Sequence, residues 1–208
     1  YPLPIRTFFN VSFRQGFAFF VPYFMASAPL FGVPRLEEVL LMAGIAGIAE
    51  SNRKEILSEI VSAIEYQGDF KKSIINNSLS TLGNVYSQAR FAHARVSGCA
   101  EVVLDGEVFN WQQLSPESAP TCPAEALAAA YQNNGPEFVT RIDGPFALAI
   151  ATPKGLFIAR DRVGVAPLYY GFRDGTLLCA SHAKALIGQV ERLMEFPPGY
   201  FYDPVLGL

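Results

Sequence analysis

Apolar and polar positions divide this chain into stretches of different period. Ile56, Leu57, Ile60, Val61 and Ile64 recur at helical spacing and paint one face of a helix. Ser51 is its expected N-cap, Lys54-Glu55 lie in its first turn, and Gly68 is its expected left-handed stop. Just before it, Gly44-Ile45-Ala46-Gly47-Ile48-Ala49 is small and apolar, as a buried strand requires. Residues 70–84 are polar, with Asn76-Asn77 and Gly83-Asn84, and predict mostly loop. Three strand–turn–strand patterns follow. Ala100–Leu104 runs through Asp105-Gly106 into Glu107–Asn110, Phe146–Thr152 through Pro153-Lys154-Gly155 into Leu156–Arg160, and Leu168–Phe172 through Arg173-Asp174-Gly175 into Thr176–Ala180. Helices are expected over Ala124–Gln132, Glu137–Ile142 and His182–Ile187. Several antiparallel hairpins with few helices predict an α+β layered fold rather than an alternating parallel one.

Residues 1–41 have another texture. Phe17–Val33 is uncharged and aromatic but interrupted by Pro22 and Pro29, which argues against a spanning helix. No basic start leads into a smooth apolar core, so a signal peptide fits poorly. Arg35-Leu36-Glu37-Glu38-Val39-Leu40-Leu41 stands directly before Met42. Glu-Glu-Val can be encoded by a purine-rich run like a bacterial ribosome-binding site. The expected division is therefore an atypical apolar leader at 1–41, either translated upstream sequence or a true extension that packs on the domain or a partner, and one domain at 42–208.

Composition narrows the function. Half of the 208 residues are hydrophobic, enough for one sizeable core. The formal charge of −3, with 16 scattered Lys and Arg, offers no basic surface to nucleic acid. Cys99, Cys122 and Cys179 form no CxxC pair, and His93 and His182 are too far apart to suggest a metal site. Buried thiols in a reducing cytoplasm are the expectation.

Six ordered segments carry a family resemblance. Met42-Ala43-Gly44-Ile45-Ala46-Gly47 resembles the Met-Cys-Gly-Ile-x-Gly start of class II glutamine amidotransferases. Asp105-Gly106-Glu107-Val108-Phe109-Asn110 is similar to their Asn-Gly-Glu-Ile-Tyr-Asn, and Asp143–Ala149 to their Gly-x-Phe-Ala-Phe-Ala strand. Arg160-Asp161-Arg162-Val163-Gly164-Val165-Ala166-Pro167-Leu168-Tyr169-Tyr170 resembles Arg-Asp-x-x-Gly-x-x-Pro-Leu-Tyr. Ser181–Leu186 and Phe196-Pro197-Pro198-Gly199 complete the set, which fits the asparagine-synthetase branch best.

The resemblance implies an Ntn-hydrolase-like four-layer sandwich, with two antiparallel sheets between helical layers. It implies glutamine as the small molecule, no cofactor in this domain, and a synthetase domain or separate chain as partner. In that family an N-terminal Cys attacks the glutamine amide, with its own α-amine as base. Chemistry of this kind needs an ionisable, polarisable thiol, and Ala43 offers a methyl group. An Asn amide and a Gly N–H would form the oxyanion hole; here the positions hold Asp105 and Gly106. The resemblance puts Arg95, in Ala92-His93-Ala94-Arg95-Val96-Ser97, at the site for the substrate carboxylate, and Glu107 also at a substrate-binding position. Pro123, two residues before Glu125, occupies the place of an amine-holding Asp, and Gln67-Gly68-Asp69 replaces Arg-Gly-Pro-Asp.

Three functions stand open at this point. One is a glutaminase-type domain that has lost its catalysis. Another is a working glutamine-hydrolysing domain whose Cys has been engineered to Ala, which would account for Ala43 but not for Asp105, Pro123 and Gln67 together. The last is a standalone interaction or amino-acid-binding module. Other sequence features have plainer alternatives. Arg95 is as well read as a strand-edge cation, Asp105-Gly106 as a hairpin turn, and Arg160-Asp161-Arg162 as local pairing at a strand end.

Overall fold

The computed structural model describes residues 6–7, 44–64, 70–87, 93–96 and 100–205. The vacated nucleophile position Ala43, the Gln67-Gly68-Asp69 segment with the expected helix stop, Cys99, and all of the leader except Arg6 and Thr7 lie outside the described residues.

Among the described residues, twelve strands form two six-stranded sheets whose neighbours all pair antiparallel. In chain order they are β1 (Arg6–Thr7), β2 (Gly44–Ile48), β3 (Phe70–Asn76), β4 (Thr81–Ser87), β5 (His93–Val96), β6 (Ala100–Gly106), β7 (Phe146–Thr152), β8 (Gly155–Arg160), β9 (Tyr169–Arg173), β10 (Thr176–Ala180), β11 (Met194–Glu195) and β12 (Tyr200–Tyr202). The helices are α1 (Lys54–Ile64), α2 (Trp111–Leu114), α3 (Pro123–Asn134) and α4 (Ala183–Leu186). Sheet A runs β1-β12-β8-β7-β6-β5 and sheet B runs β11-β9-β10-β2-β4-β3.

Three apolar layers hold this order together. Between the sheets lie Ile45, Leu82, Val103, Leu156, Ile158, Leu168 and Phe196. Outside sheet A, Val102, Leu104, Leu148 and Ile150 pack on Leu127, Ala128 and Phe138. Outside sheet B, Ala46, Ile48, Val85 and Leu178 pack on Leu57, Ile60, Val61, Ile64 and Leu186. Alternation along each strand makes this possible. In β7, Ala147, Ala149 and Ala151 face sheet B while Leu148 and Ile150 face α3. With both faces covered, Phe146–Thr152 is buried throughout. The result is the expected α+β, Ntn-hydrolase-type sandwich of helix, sheet, sheet and helix.

Each of the four buried aliphatics of α1 contributes roughly 1.5–3 kcal/mol by leaving water. Small residues on sheet B let that helix approach. A Cβ placed on Gly83 would stand 2.6 Å from Val61 Cγ2. Alanine has the corresponding use in α3, where Ala124, Ala126, Ala128, Ala129 and Ala130 are all buried.

Several expectations need correction. Ser51 does not cap α1. It sits in a turn with Asn52 at φ 61°, and Arg53 O receives the first helical bond, from Leu57 N at 2.9 Å. Residues 70–87 form a hairpin, β3 and β4, rather than mostly loop. Its polarity reflects an edge position, since Lys71 and Lys72 of β3 are exposed. The turn is built by Asn77, whose N–H meets Ser80 O at 2.9 Å and whose Oδ1 accepts from Leu79 N at 3.3 Å.

Asp105-Gly106 is not a hairpin turn either. It is the end of β6, in register with Ala147 and Phe146, and Glu107–Asn110 leads into α2 instead of returning as a strand. Pairing with a strand 40 residues on outweighs the local turn preference. The hairpins β7–β8 and β9–β10 match expectation, the latter through Asp174-Gly175 at φ 51° and 79°. Glu137–Ile142 falls largely in a 3₁₀ helix, Gly135–Arg141. Arg6 and Thr7 of the leader pair with Phe201 and Tyr200 at the edge of sheet A.

Candidate active site

The start of β2 and the end of β6 meet through Ser181, the residue after β10. Ser181 Oγ accepts the Ile45 N–H at 3.0 Å, and Ser181 N donates to Ile45 O at 2.9 Å. The same hydroxyl hydrogen-bonds to the Asp105 carboxylate. Strand parity places Asp105 on the face of β6 that carries Val103, the face turned toward sheet B. Asp105 is only 8% exposed. Burial pushes its carboxyl up to about 6, with the Ser181 bond pulling the other way.

Asn84 adjoins this group. It is the register partner of Ile45, shares a face with Leu82, and is fully buried. Neither its Oδ1 nor its Nδ2 has a hydrogen-bond partner among the described residues. Sequence reasoning missed both Ser181 and Asn84. Ser181 was visible as a polar residue closing an apolar strand, whereas Gly83-Asn84 reads as a turn until β4 is paired.

Gly106 follows with φ 105°, and a Cβ there would press on the Pro145 carbonyl oxygen, so only glycine fits. Glu107 is exposed, and its N–H donates to Pro145 O at 2.7 Å. Asp105, Gly106 and Glu107 are thus at one end of sheet A, close to the start of β2. Arg95 is not with them. β5 is the outer neighbour of β6, and Arg95 stands opposite Glu101, four positions from Asp105 and so roughly 13 Å away along the strand. The strands flanking β2 are β4 and β10.

Pro123 opens α3, where its missing N–H costs nothing. Glu125 is occupied in capping: its Oε2 accepts from Thr121 N and Thr121 Oγ1, both at 2.7 Å, which lowers its pKa. His182 lies on the α1 side of Gly44, with Cδ2 3.7 Å from where a Cβ on that glycine would stand. Burial lowers its pKa, and the Lys184 charge adds to this. Cys122 is half-buried and free; Cys179 is fully buried, its thiol pushed up to about 12 by desolvation. Among the described residues, no group of three or more His, Cys, Asp or Glu could hold a metal.

The longest sequence motif buttresses this end of the sheets. Arg160, 4% exposed, donates to Ala166 O at 2.7 Å, Phe196 O at 2.6 Å, Gly164 O at 2.9 Å and Glu195 at 2.8 Å. Asp161 accepts four backbone N–H bonds, from Val163, Gly164, Val165 and Ala166, at 2.7–3.2 Å. Its own N–H donates to Phe146 O at 2.8 Å, which seats the loop against the residue paired with Gly106. The two charges fold a loop rather than pairing with each other, and Arg162 reaches Thr140 O at 2.7 Å.

Chemically, the arrangement offers a buried carboxylate at the end of β6. An ionised carboxylate only accepts hydrogen bonds, and it repels a developing oxyanion.

Comparison with known proteins places the fold and the family. A family model described as a glutamine amidotransferase domain matches residues 42–196. Asparagine synthetase [glutamine-hydrolyzing] 2 of Oryza sativa subsp. japonica is 28% identical over 194 residues, 81% of this chain and 31% of the rice protein. Asparagine synthetase [glutamine-hydrolyzing] 2 of Arabidopsis thaliana is 35% identical over 51% of this chain and 20% of its own length. Asparagine synthetase B of Escherichia coli K12 is 34% identical over 48% of this chain and 20% of its length. The chain therefore spans less than a third of these relatives. Among solved structures, the glutamine phosphoribosylpyrophosphate amidotransferase of B. subtilis shares the fold, with a TM-score of 0.61 at 16% identity, covering 76% of this chain and 46% of that one. With the family model matched over residues 42–196 and asparagine synthetases among the relatives, this chain belongs to the glutamine amidotransferase domain family, in its class II, asparagine-synthetase-type branch.

Proposed function

We propose that this chain is the glutaminase-type domain of an asparagine-synthetase-like amidotransferase and that it does not hydrolyse glutamine. The observation that carries this reading is Ala43, one residue before β2, where the family places its nucleophilic cysteine. A methyl group cannot form the thioester, and neither free cysteine among the described residues offers a substitute. Cys179 has its thiol pushed up to about 12, and Cys122 is the residue before α3, on the helical side of sheet A.

The buried Asp105 supports the same reading, because restoring a thiol alone would still leave a carboxylate facing the oxyanion. In this proposal the domain is kept for structure or docking against a synthetase domain or separate chain. That partner takes ammonia or another amine from elsewhere, in the cytoplasm. No helix among the described residues is long and apolar enough to cross a membrane.

Incubation with glutamine tests the proposal, with glutamate and ammonia followed by mass spectrometry and enzymatic assay. The purified chain is expected to release neither. An Ala43→Cys variant lacking residues 1–42, folded by circular dichroism, is expected to remain silent. Turnover by that variant would instead establish a working glutaminase whose cysteine had been replaced. A glutamyl adduct on the unaltered chain would end the proposal outright.

A further inference from the structure

At the far end of sheet A from Asp105 lies a cavity that the glutaminase reading does not use. β7 runs from Phe146, beside Gly106, to Thr152 at the cavity, a separation of roughly 20 Å along the strand. The cavity measures about 310 Å³, the small end of the range for ligand sites. Three segments converge on it. The last turn of α3 with the start of the 3₁₀ helix brings Tyr131 and Pro136, the β7–β8 turn brings Pro153 and Lys154, and the segment after β12 brings Asp203 and Val205.

The walls are mostly apolar, and of the two charged groups in the lining one is buried and the other exposed. Asp203 is 5% exposed; its Oδ1 accepts the Val205 N–H at 2.8 Å, and its Oδ2 lies 3.4 Å from the Tyr131 hydroxyl. Burial pushes Tyr131 up to about 12, and the negative charge of Asp203 adds to the effect; the same two causes raise Tyr202. The carboxylate thus lies beside the Tyr131 hydroxyl in the lining of the cavity. Lys154, by contrast, is exposed on the β7–β8 turn. A deep anion, a cation at the mouth and apolar walls match a molecule that carries both charges on a short apolar body.

We propose that this cavity binds a free α-amino acid with an apolar side chain, its ammonium group meeting Asp203 and the Tyr131 hydroxyl and its carboxylate meeting Lys154. Pro136, Pro153 and Val205 receive the side chain. The site is separate from the Asp105 end and independent of whether glutamine is hydrolysed there.

Isothermal titration calorimetry of the full chain with L-valine, L-leucine and L-phenylalanine tests the proposal. At least one is expected to bind saturably. Its N-acetyl derivative, which lacks the ammonium charge, is expected to bind at least tenfold more weakly. Lys154→Met should weaken the amino acid several-fold, and Val205→Trp, which fills the cavity from an exposed position, should abolish binding. The proposal is overturned if none of the three binds, if the N-acetyl derivative binds equally well, or if either substitution leaves affinity unchanged. Val205→Trp that alters only self-association would mark the cavity as a protein contact and overturn it as well.

Discussion

Asp105 couples stability to pH, and replacing it with Asn isolates that coupling. Its carboxyl, 8% exposed, is raised by burial from an ordinary value of 3.8 to about 6. A carboxyl whose folded pKa exceeds its unfolded pKa contributes most below the unfolded value, and that contribution is lost as pH rises through the folded one. At 1.36 kcal/mol per unit, the two-unit gap costs the native state about 3 kcal/mol at pH 7.5, about 1.5 at pH 5 and about 0.5 at pH 4. Asn carries no charge to desolvate and can still hydrogen-bond Ser181. The stability of Asp105→Asn minus that of the unaltered chain should therefore grow by about 2.5 kcal/mol from pH 4 to pH 7.5. Urea denaturation at half-unit steps measures this difference. Taking the difference also cancels His182, whose lowered pKa titrates in the same window but in both proteins alike. A difference independent of pH, or one that shrinks as pH rises, would refute the buried-carboxylate argument.

Two further outcomes follow from the same geometry. Asp161→Ala strips the acceptor from four backbone N–H groups at 2.7–3.2 Å, and should cost about 3–5 kcal/mol in urea denaturation; a loss below about 1 kcal/mol would show that the loop holds without it. Iodoacetamide at pH 8 should alkylate Cys122 in the native chain while leaving Cys179 unmodified until guanidinium is added, because burial holds the Cys179 thiol near 12. Peptide mass spectrometry reads both sites, and equal native labelling would contradict the packing around Cys179.

The sequence by itself determined the elements whose local pattern and tertiary role agree. Helix α1 repeats Leu57, Ile60, Val61 and Ile64 at a helical period and buries those residues. The turn at Asp174-Gly175 needs left-handed backbone and holds the residues that take it most readily. The ordered family segments also carried the fold class, since each fixes a piece of one sandwich. Tertiary structure decided wherever local chemistry pointed two ways. Asp105-Gly106 has the preference of a turn, but burial against β7 makes it a strand end with a perturbed carboxyl. Lys71, Lys72 and Asn84 look like loop until sheet B gives the lysines an edge and the asparagine a buried face. Arg95 belongs to a segment that resembles the family, yet its register opposite Glu101 separates it from Asp105. Periodicity records which face of an element is apolar; it carries no information about which distant strand covers that face, and the desolvation that makes Asp105 unusual exists only once that strand is in place.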